Sequence, residues 1–440
     1  MHKCTKIGIV GLGTVGTGVT KLIEKNKDLI RKRCGFDIEI GWLCDIDLER
    51  DRGIDLSKYR CTTNYMDVIE DDEVDIVVEL VGGTGVAFDI IAQALKRGKS
   101  IVTANKALIA KRGKELIELL KNSPKSEIGF EASVGGGIPI IKTIKESLAG
   151  NRIKSIYGII NGTVNYILTR MEKDNVDFGT ALKEAQKKGY AEADPSLDID
   201  GIDAAHKASI LATITFGRFI GIEDVFVEGI SNIDLMDIKF SLELGYRIKL
   251  LAIIKENKGE IEIRVHPTLI PLEHPLAKID GVYNALSIFA DFAGHIMVYG
   301  KGAGMYPTAS SVIADIIDIS RNIKNSSTNR VPIFSFVDEI DVKIKPVEEI
   351  VTNYYLRIMA VDKPGVLSKI SGILAKQEIS IEAVIQKGRG EKDLVPIVMT
   401  THEAKEKSIQ KAIEEISSLD IVGGKPILYR IERLEDGPLM

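Results

Sequence analysis

The six residues Gly11-Leu12-Gly13-Thr14-Val15-Gly16 follow the strand-like run KIGIV (6–10) and open an amphipathic segment that reaches residue 33. This G-x-G-x-x-G pattern is typical of the first β–α turn of a dinucleotide-binding Rossmann domain. The first glycine permits the tight turn, the second lets the backbone approach a pyrophosphate, and the third lets helix pack on strand. We therefore predict that these six residues bind a dinucleotide. A tight turn without a ligand is the alternative interpretation.

A second predicted strand, residues 37–44, is followed directly by Asp45. A carboxylate at this point binds the ribose hydroxyls of a dinucleotide and repels a 2′-phosphate. Asp45 therefore favours NAD over NADP, although Arg50 and Arg52 are close enough in the sequence to reach a phosphate.

Short β-branched runs alternate with amphipathic segments through the first 135 residues, which predicts βαβ units and a parallel sheet. From residue 153 the pattern changes to a mixture of helices and longer strands. The last 85 or so residues are predicted to run in the order βαββαβ, which is a ferredoxin-like unit. The expected class is α/β, with a Rossmann-type parallel sheet, an α+β domain and a C-terminal ferredoxin-like domain.

Composition excludes several classes of partner. The 440 residues carry 58 basic and 63 acidic side chains, a net charge of −5, and only 6% are aromatic. This balance offers no footprint for nucleic acid or an anionic membrane. The four cysteines fit a reduced cytoplasmic protein, and no signal peptide or long uncharged apolar run is found. The six histidines show no spacing typical of a transition-metal site.

The segment from residue 190 to 207 concentrates carboxylates in a loop and the first turns of a helix whose remainder is apolar. Asp203 and Lys207 are four residues apart and lie on one helical face. An exposed ion pair of this spacing is common and contributes little. A lysine–aspartate pair at the mouth of a buried helix is instead typical of a functional site. The spacing alone leaves both interpretations open.

The same segment, GYAEADPSLDIDGIDAAHK (189–207), resembles the signature of the homoserine dehydrogenases. The likeness continues at TANK (103–106), EASVGGGIP (131–139), NGT (161–163) and GAGMYPTA (302–309). The C-terminal unit, with DKPGVL (362–367), resembles an ACT domain, which is a known regulatory appendage of that family.

The resemblance implies NAD(P)-dependent, reversible reduction of L-aspartate 4-semialdehyde to L-homoserine in threonine, methionine and isoleucine biosynthesis. Lys207 matches the family's catalytic lysine, the proton donor, and Asp203 would orient it. The matching substrate-binding residues are Glu192, Asp198, Lys106 and Thr163. Further cofactor contacts are expected at Thr103, Lys106, Gly189 and Gly304. In the ACT-like unit, Asp362, Gly365 and Val366 would bind an amino acid, with threonine as the expected feedback inhibitor.

The resemblance also implies a site for Na⁺ or K⁺ at Glu131, Val134, Gly136 and Ile138. One carboxylate and three backbone carbonyls on a glycine-rich turn would form a cage of hard oxygen ligands. Without the resemblance, a plain strand-to-helix turn with Pro139 starting the helix is the preferred interpretation.

Together these observations predict a cofactor domain at 1–135, completed by 306–335, and a homoserine-binding and dimerisation domain at 136–305. A linker at 336–350 and an ACT domain at 351–435 follow, and a homodimer or homotetramer is expected. Two other functions explain less of the sequence. An aspartate-semialdehyde dehydrogenase needs a nucleophilic cysteine, but Cys4, Cys34, Cys44 and Cys61 all lie in the nucleotide-binding half. A non-catalytic amino-acid sensor would not explain the set Glu192, Asp203 and Lys207.

Overall fold

The structure, a computed structural model, describes residues 4–257, 259–387 and 394–434. The chain forms two compact units, the first from Met1–Ile153, Asp203–Val225 and Tyr283–Val342, the second from Lys154–Ile202, Phe226–Val282 and Lys343–Met440. The predicted domain boundaries, of which residues 1 and 435 lie outside the described residues, stay a prediction.

The described strands are β1 (Cys4–Val10), β2 (Asp37–Cys44), β3 (Arg60–Thr62), β4 (Ile76–Glu79), β5 (Ser100–Thr103), β6 (Ile128–Gly129), β7 (Ile153–Ile159), β8 (Phe226–Val227), β9 (Tyr246–Asn257), β10 (Glu260–Pro271), β11 (Tyr283–Ala290), β12 (Gly294–Lys301), β13 (Lys343–Ile344), β14 (Val351–Val361), β15 (Ile381–Gln386), β16 (Leu394–Thr401), β17 (Ala404–Lys405) and β18 (Ile427–Ile431). The described helices are α1 (Thr14–Cys34), α2 (Tyr65–Glu70), α3 (Gly85–Lys96), α4 (Lys106–Lys121), α5 (Ile140–Lys142), α6 (Gly162–Asp174), α7 (Phe178–Lys187), α8 (Ser196–Ile199), α9 (Ile202–Phe216), α10 (Leu235–Glu243), α11 (Met305–Lys324), α12 (Val366–Lys376) and α13 (Glu406–Ser417).

The first unit contains a six-stranded sheet in the order β3-β2-β1-β4-β5-β6. All of its strand pairs are parallel, as the sequence predicts. The central strands β4 and β5 are fully buried, which is why they carry continuous apolar runs rather than an alternating pattern. The strand order reverses between β1 and β4, and ligands of such sheets bind at the carboxyl ends of strands beside that switch point.

Helices α1 and α11 pack in one core with this sheet. Their buried residues Val19, Val312 and Ile316 lie in the same apolar cluster as Ile7 and Ile9 of β1. Burial of these side chains removes apolar surface from water, which stabilises the fold by roughly 25 cal/mol for each Å² buried. Residues 305–324 are therefore part of the core of this parallel sheet.

The run EIGFE (127–131) predicts a strand, and this strand is shorter in the structure. Only Ile128–Gly129 pair with β5, and Glu131–Ser133 form a 3₁₀ turn. The Glu131 backbone N–H donates to the Asp315 carboxylate at 2.7 Å instead of continuing the ladder. The same unit holds an antiparallel hairpin of β11 and β12 that the sequence pattern does not predict.

The second unit contains a mixed sheet in which β7, β9, β10, β18, β14, β16 and β15 are neighbours in that order. The C-terminal elements β14, α12, β15, β16, α13 and β18 confirm the predicted βαββαβ order. Strand β18 pairs antiparallel with β14 and parallel with β10. The C-terminal unit therefore shares one continuous sheet with β9 and β10 rather than forming a separate body on a linker.

The predicted linker contains short regular pieces. Strand β13 pairs with the start of β10, and Val347–Glu349 form a 3₁₀ turn. No helix among the described residues is both long and apolar enough to span a membrane.

Candidate active site

Helix α9 carries the lysine–aspartate pair singled out in the sequence. Nearly every residue of Ile202–Phe216 is buried, and Asp203 and Lys207 are each 9% exposed. The Lys207 ammonium (Nζ) donates to Asp203 Oδ2 at 2.6 Å. An apolar surface on all sides is typical of a buried helix. The pair is therefore a buried feature, not an exposed surface ion pair.

Lys106 completes a three-residue cluster with this pair. It is the first residue of α4, which follows the carboxyl end of β5 in the parallel sheet. Its Nζ lies 3.1 Å from Asp203 Oδ1. Burial opposes ionisation of Asp203, but Lys207 and then Lys106 outweigh it and lower the pKa of this carboxyl to about 2. Two ammonium groups around one carboxylate leave a local positive charge, which suits an oxygen that becomes negative during a reaction.

His206 lies beside Lys207 and is not a candidate base. It is 5% exposed, and its Nε2 has no hydrogen-bond partner among the described residues. Burial, with Lys111 and Lys106, lowers its pKa to about 4. The imidazole is therefore neutral at physiological pH, in agreement with its interpretation as a packing residue.

The glycine-rich turn shows three different uses of glycine. Gly11 has φ +102°, and a Cβ there would lie 2.7 Å from the Leu80 carbonyl. A Cβ at Gly16 would lie 2.0 Å from the Gly11 carbonyl oxygen. A Cβ at Gly13 meets no atom within 4 Å, and no side chain caps the start of α1. The open face at Gly13 and the free N–H groups after it fit a pyrophosphate.

Asp45 is tied to this turn by hydrogen bonds that the sequence does not predict. Its carboxylate accepts from the backbone N–H of Leu12 at 2.6 Å and of Asp47 at 2.9 Å, and pairs with Arg52 at 3.1 Å. Arg52 also donates through Nε to the Leu12 carbonyl at 2.7 Å, and through Nη1 to the Arg50 carbonyl at 2.9 Å. The Arg52 side chain is only 7% exposed. A charge of opposite sign thus accompanies the predicted ribose-binding carboxylate.

A buried carboxylate that the sequence analysis missed lies under Thr103. Glu79 ends β4, is fully buried, and accepts from the Thr103 hydroxyl at 2.6 Å. Burial raises the pKa of Glu79 to about 7. The Thr103 hydroxyl also accepts from the Asn105 N–H at 3.0 Å, so both of its roles are taken inside the protein. The one signal for Glu79 is its position at the end of an otherwise apolar strand.

In the second unit, two of the predicted substrate residues, Thr163 and Asp198, lie near the start of α6. The Thr163 hydroxyl donates to the Tyr190 carbonyl at 2.7 Å, and Asn161 Nδ2 donates to Asp198 Oδ1 at 2.7 Å. Glu192 has an exposed side chain, and Gly189, with φ +73°, follows α7. Within this unit Thr163 and Asp198 are thus held near the first turn of one helix.

Comparison with known proteins matches nearly the whole chain to one family. The family model described as homoserine dehydrogenase covers residues 139–317, and the one for its NAD binding domain covers residues 11–127. A third family model, the ACT domain, covers residues 354–420. A homoserine dehydrogenase of Neisseria gonorrhoeae is 46% identical over 436 residues, which are 99% of this chain and 100% of that protein.

The chain belongs to the homoserine dehydrogenase family.

Solved structures of this family share the fold. A homoserine dehydrogenase from Thiobacillus denitrificans is 44% identical, with a TM-score of 0.93, and the match covers 98% of this chain and 99% of that chain. A hyperthermophilic archaeal homoserine dehydrogenase, solved in complex with NADPH, is 29% identical, with a TM-score of 0.61 over 72% of this chain and 98% of that chain. The predicted Rossmann-type, substrate and ACT domains, and the predicted class of oxidoreductase, are confirmed by these matches.

The residues predicted for a monovalent cation include one buried carboxylate, that of Glu131. Glu131 is 2% exposed and accepts from the backbone N–H groups of Ile141 and Lys142, each at 2.8 Å. Burial, and then the nearby Asp315, raise the pKa of Glu131 to about 7. A cation would favour the ionised form of such a group, and a carboxylate with backbone oxygens is a hard ligand set.

The carbonyls of the same turn are partly engaged. The Gly136 oxygen accepts from the Ser311 hydroxyl at 2.6 Å, and the Ile138 oxygen from the Ile140 N–H at 2.8 Å. Each carbonyl keeps a second lone pair for another donor or a cation. The residues present therefore fit Na⁺ or K⁺. Asp315, which the sequence analysis did not single out, lines a cavity of about 70 Å³ with Glu131 and pairs with Lys142 at 3.2 Å.

In the ACT domain, the predicted effector loop joins β14 to α12. Gly365 has φ +90° and directly precedes the helix, whose first residue, Val366, is buried. Asp362 is exposed and lies within 3.5 Å of the Gln386 amide. No side chain caps this helix start, and the Val366 N–H donates to the Lys363 carbonyl of the loop at 3.3 Å, so anion binding here would depend on the N–H groups that follow Val366.

Proposed function

We propose that the chain interconverts L-homoserine and L-aspartate 4-semialdehyde with a nicotinamide cofactor, in the synthesis of threonine, methionine and isoleucine. The observation that carries this proposal is the buried cluster of Lys207, Asp203 and Lys106 on helices α9 and α4. Membership of the family supplies the reaction class, and the cluster supplies groups that can handle the proton of that reaction.

The bound nicotinamide supplies the hydride in reduction and accepts it in oxidation. Lys207 gives a proton to the carbonyl oxygen as the aldehyde is reduced, and takes the proton from the hydroxyl in the reverse direction. Asp203, ionised at all physiological pH values, holds the Lys207 ammonium by the 2.6 Å hydrogen bond. Lys106 adds a second positive charge, which stabilises the developing alkoxide.

The remaining predicted residues have roles in binding. We propose that Glu192 and Asp198 hold the substrate's ammonium and hydroxyl groups, and that Thr163 places the segment containing Tyr190 through its 2.7 Å hydrogen bond. The Gly11–Gly16 turn and Asp45 would hold the dinucleotide, with further contacts at Thr103, Gly189 and Gly304. The open face at Gly13 supports the first part of this assignment.

The test is a spectrophotometric assay of homoserine oxidation with NAD⁺ and NADP⁺. We expect Lys207→Ala and Asp203→Ala each to lower kcat by roughly 10²- to 10⁴-fold, with the dissociation constant of the cofactor within about twofold of wild type. The control is Asp174→Ala, which breaks an exposed ion pair with Arg170 of the same i,i+4 spacing. Near-normal turnover in both active-site variants would remove the assignment.

We also propose that the ACT domain makes the enzyme sensitive to threonine through Asp362, Gly365 and Val366. The exposed Asp362 side chain and the free helix start after Gly365 support binding of a zwitterionic amino acid. In the full-length protein, threonine should inhibit the initial rate, and Asp362→Ala should raise the half-inhibitory concentration by about tenfold, the effect of losing one charge-assisted contact. Full activity of the wild type in millimolar threonine would contradict this proposal.

A homodimer or homotetramer and a cytoplasmic location stay predictions. Light scattering of the purified protein at micromolar concentration measures the oligomeric state directly, and a monomer would contradict the first of them.

A further inference from the structure

Arg430 lies between two carboxylates that belong to different parts of the second unit. It is on β18, is 1% exposed, and donates through Nε and Nη2 to Glu406 at 2.8 and 2.7 Å. Its Nη1 and Nη2 donate to Glu228 at 2.6 and 3.3 Å. The planar guanidinium can satisfy two carboxylates at once only in a fixed orientation. Arg430 therefore ties Glu406 and Glu228 to one position.

On one side, this arginine is held by the ACT domain. Glu406 is the first residue of α13 and is 2% exposed. It also accepts from the Tyr354 hydroxyl at 3.0 Å and from the Gln410 amide at 2.8 Å. Any displacement of α13 relative to β14 would therefore move the guanidinium. The buried Glu406 carboxylate would otherwise lose a hydrogen bond from Arg430, which costs free energy.

On the other side, the residues after β8 touch the turn that carries Asp198. Ile230 donates through its N–H to the Ile199 carbonyl at 2.8 Å. At Gly229, a Cβ would lie 2.4 Å from that same carbonyl oxygen and 2.7 Å from the Asp200 Cα. The two backbones are thus closer than a residue with a side chain would permit. Glu228 itself is anchored to β10 by its N–H, which donates to the Val265 carbonyl at 2.8 Å.

These contacts form one path from α13 to the Asp198 turn (residues 198–200). We infer that Glu228 and Arg430 are positioning residues, which hold this turn in the conformation in which Asp198 binds homoserine and transmit displacements of the ACT domain to it. The inference rests on the proposed function, because the role of Asp198 toward homoserine belongs to that proposal. Asn161 also donates to the Asp198 carboxylate at 2.7 Å, and this contact fixes the side chain rather than the backbone of the turn.

Glu228→Gln tests the inference, because it removes one charge and leaves the shape. The Glu228 side chain is 43% exposed, so the substitution leaves the buried Arg430–Glu406 pair intact. We expect KM for homoserine to rise about fivefold, as when one charge-assisted hydrogen bond is weakened, with kcat and KM for the cofactor within about twofold. Hydrogen exchange of the peptide that covers residues 196–202 should become faster. Glu228→Asp keeps the charge, so KM for homoserine and the exchange rate should both change less in it than in Glu228→Gln.

The control is Glu415→Gln, which breaks the exposed Lys376–Glu415 pair of the same domain at 3.0 Å. We expect it to change none of these values. An unchanged KM for homoserine together with unchanged exchange in Glu228→Gln would overturn the inference. An equal change in kcat and in both KM values would do the same, because it would indicate a general loss of structure.

Asp198→Asn separates this result from the proposed function. If Asp198→Asn raises KM for homoserine and Glu228→Gln does not, the inference alone is wrong. If the wild type does not oxidise homoserine, or Asp198→Asn leaves KM unchanged, the proposed function of the site is wrong. The exchange measurement on residues 196–202 then still supports or overturns the structural link between Glu228 and the turn.

Discussion

The carboxylate of Asp203 lies between two ammonium groups, and this environment decides how its charge responds to pH. Its pKa in the folded protein is about 2, below the ordinary value of 3.8. The pair therefore contributes stability above pH 4 that is lost only as pH falls toward 2. Across the physiological range Asp203 does not change its charge, which agrees with the proposal that Lys207 is the proton donor.

Glu131 responds to pH in the opposite direction. Its pKa is raised from 4.5 to about 7, so its contribution to stability is complete below pH 4.5 and is lost as pH rises through 7. A bound Na⁺ or K⁺ would reverse this loss, because it favours the carboxylate. We therefore expect Tm at pH 8 to be lower in choline chloride than in NaCl or KCl, with a difference of at most about 3 kcal/mol in the free energy of unfolding.

Thermal unfolding at pH 6 and 8 in each salt measures this effect. Glu79 and Asp315 have raised pKa values too, and Glu131→Gln is the control that isolates the cation site. This variant should unfold at the same temperature in all three salts. A wild type whose Tm at pH 8 ignores Na⁺ and K⁺ would refute the predicted cation site.

Asp45 determines the expected choice between NAD and NADP. Its carboxylate accepts from Leu12 and pairs with Arg52, so replacing it would remove a negative charge and release a buried arginine. We expect Asp45→Asn to shift the ratio of kcat/KM for NAD⁺ over NADP⁺ toward NADP⁺ by about tenfold, because the 2′-phosphate is no longer repelled. Steady-state kinetics with both cofactors measure the ratio. Asp47→Asn, which leaves the Arg52 pair in place, is the control, and a ratio unchanged in Asp45→Asn would contradict this role.

In the β1–α1 element, alanine substitutions at two glycines of one motif should affect different properties, the stability of the protein and its binding of the cofactor. A Cβ at Gly16 would lie 2.0 Å from the Gly11 carbonyl oxygen, whereas a Cβ at Gly13 meets nothing within 4 Å. Gly16→Ala should therefore lower Tm of the cofactor-free protein and reduce its free energy of unfolding by about 1–3 kcal/mol. Gly13→Ala should leave that Tm unchanged but weaken cofactor binding, because the methyl group would occupy the space of the pyrophosphate. Thermal unfolding and cofactor titration of both variants decide this, and an equal loss of Tm in both would contradict it.

Elements with strong local signals were predicted well. Strand β2 has the predicted bounds, residues 37–44, and α1 ends one residue beyond the predicted residue 33. The errors fall where a distant partner takes a backbone group. The strand at 127–131 ends early because Asp315, 184 residues from Glu131, accepts its N–H. The hairpin of β11 and β12 was missed because its second strand is largely half-exposed, which leaves no clear alternation of apolar and polar residues.

At the scale of the whole second unit, the ACT domain is joined to the sheet of β9 and β10 by buried charges. Asp237 is fully buried and accepts from Arg357 at 2.5 and 2.9 Å and from the Tyr355 hydroxyl at 2.9 Å. Arg264, 1% exposed, pairs with Glu432 at 2.8 Å. A buried charge that loses its partner costs roughly 3–5 kcal/mol. A protein ending at residue 345 would lack Arg357 and Tyr355, which hold Asp237, and would leave Arg264 with Glu262 at 3.2 Å but without Glu432.

We therefore expect the 1–345 protein to unfold or aggregate, and threonine sensitivity to be measurable only in the full-length chain. Circular dichroism and size-exclusion chromatography of both proteins measure this. The control is Lys376→Ala in the full chain, which breaks the exposed pair of Lys376 and Glu415. It should change the free energy of unfolding by no more than about 1 kcal/mol. A soluble 1–345 protein with the Tm of the full chain would show that the shared sheet is dispensable.

The sequence by itself determined the nucleotide-binding turn, the Asp203–Lys207 pair and the order of the C-terminal elements. Each depends on residues within one strand–turn–helix unit or one helical turn, where spacing alone sets the geometry. Tertiary structure alone decided that Lys106 joins this pair, that Arg52 accompanies Asp45, that Asp315 lies against Glu131, and that β18 enters the sheet of β10. Most of these partners are separated by tens to hundreds of residues. Their meeting depends on which faces the core buries together, and no local pattern carries that information.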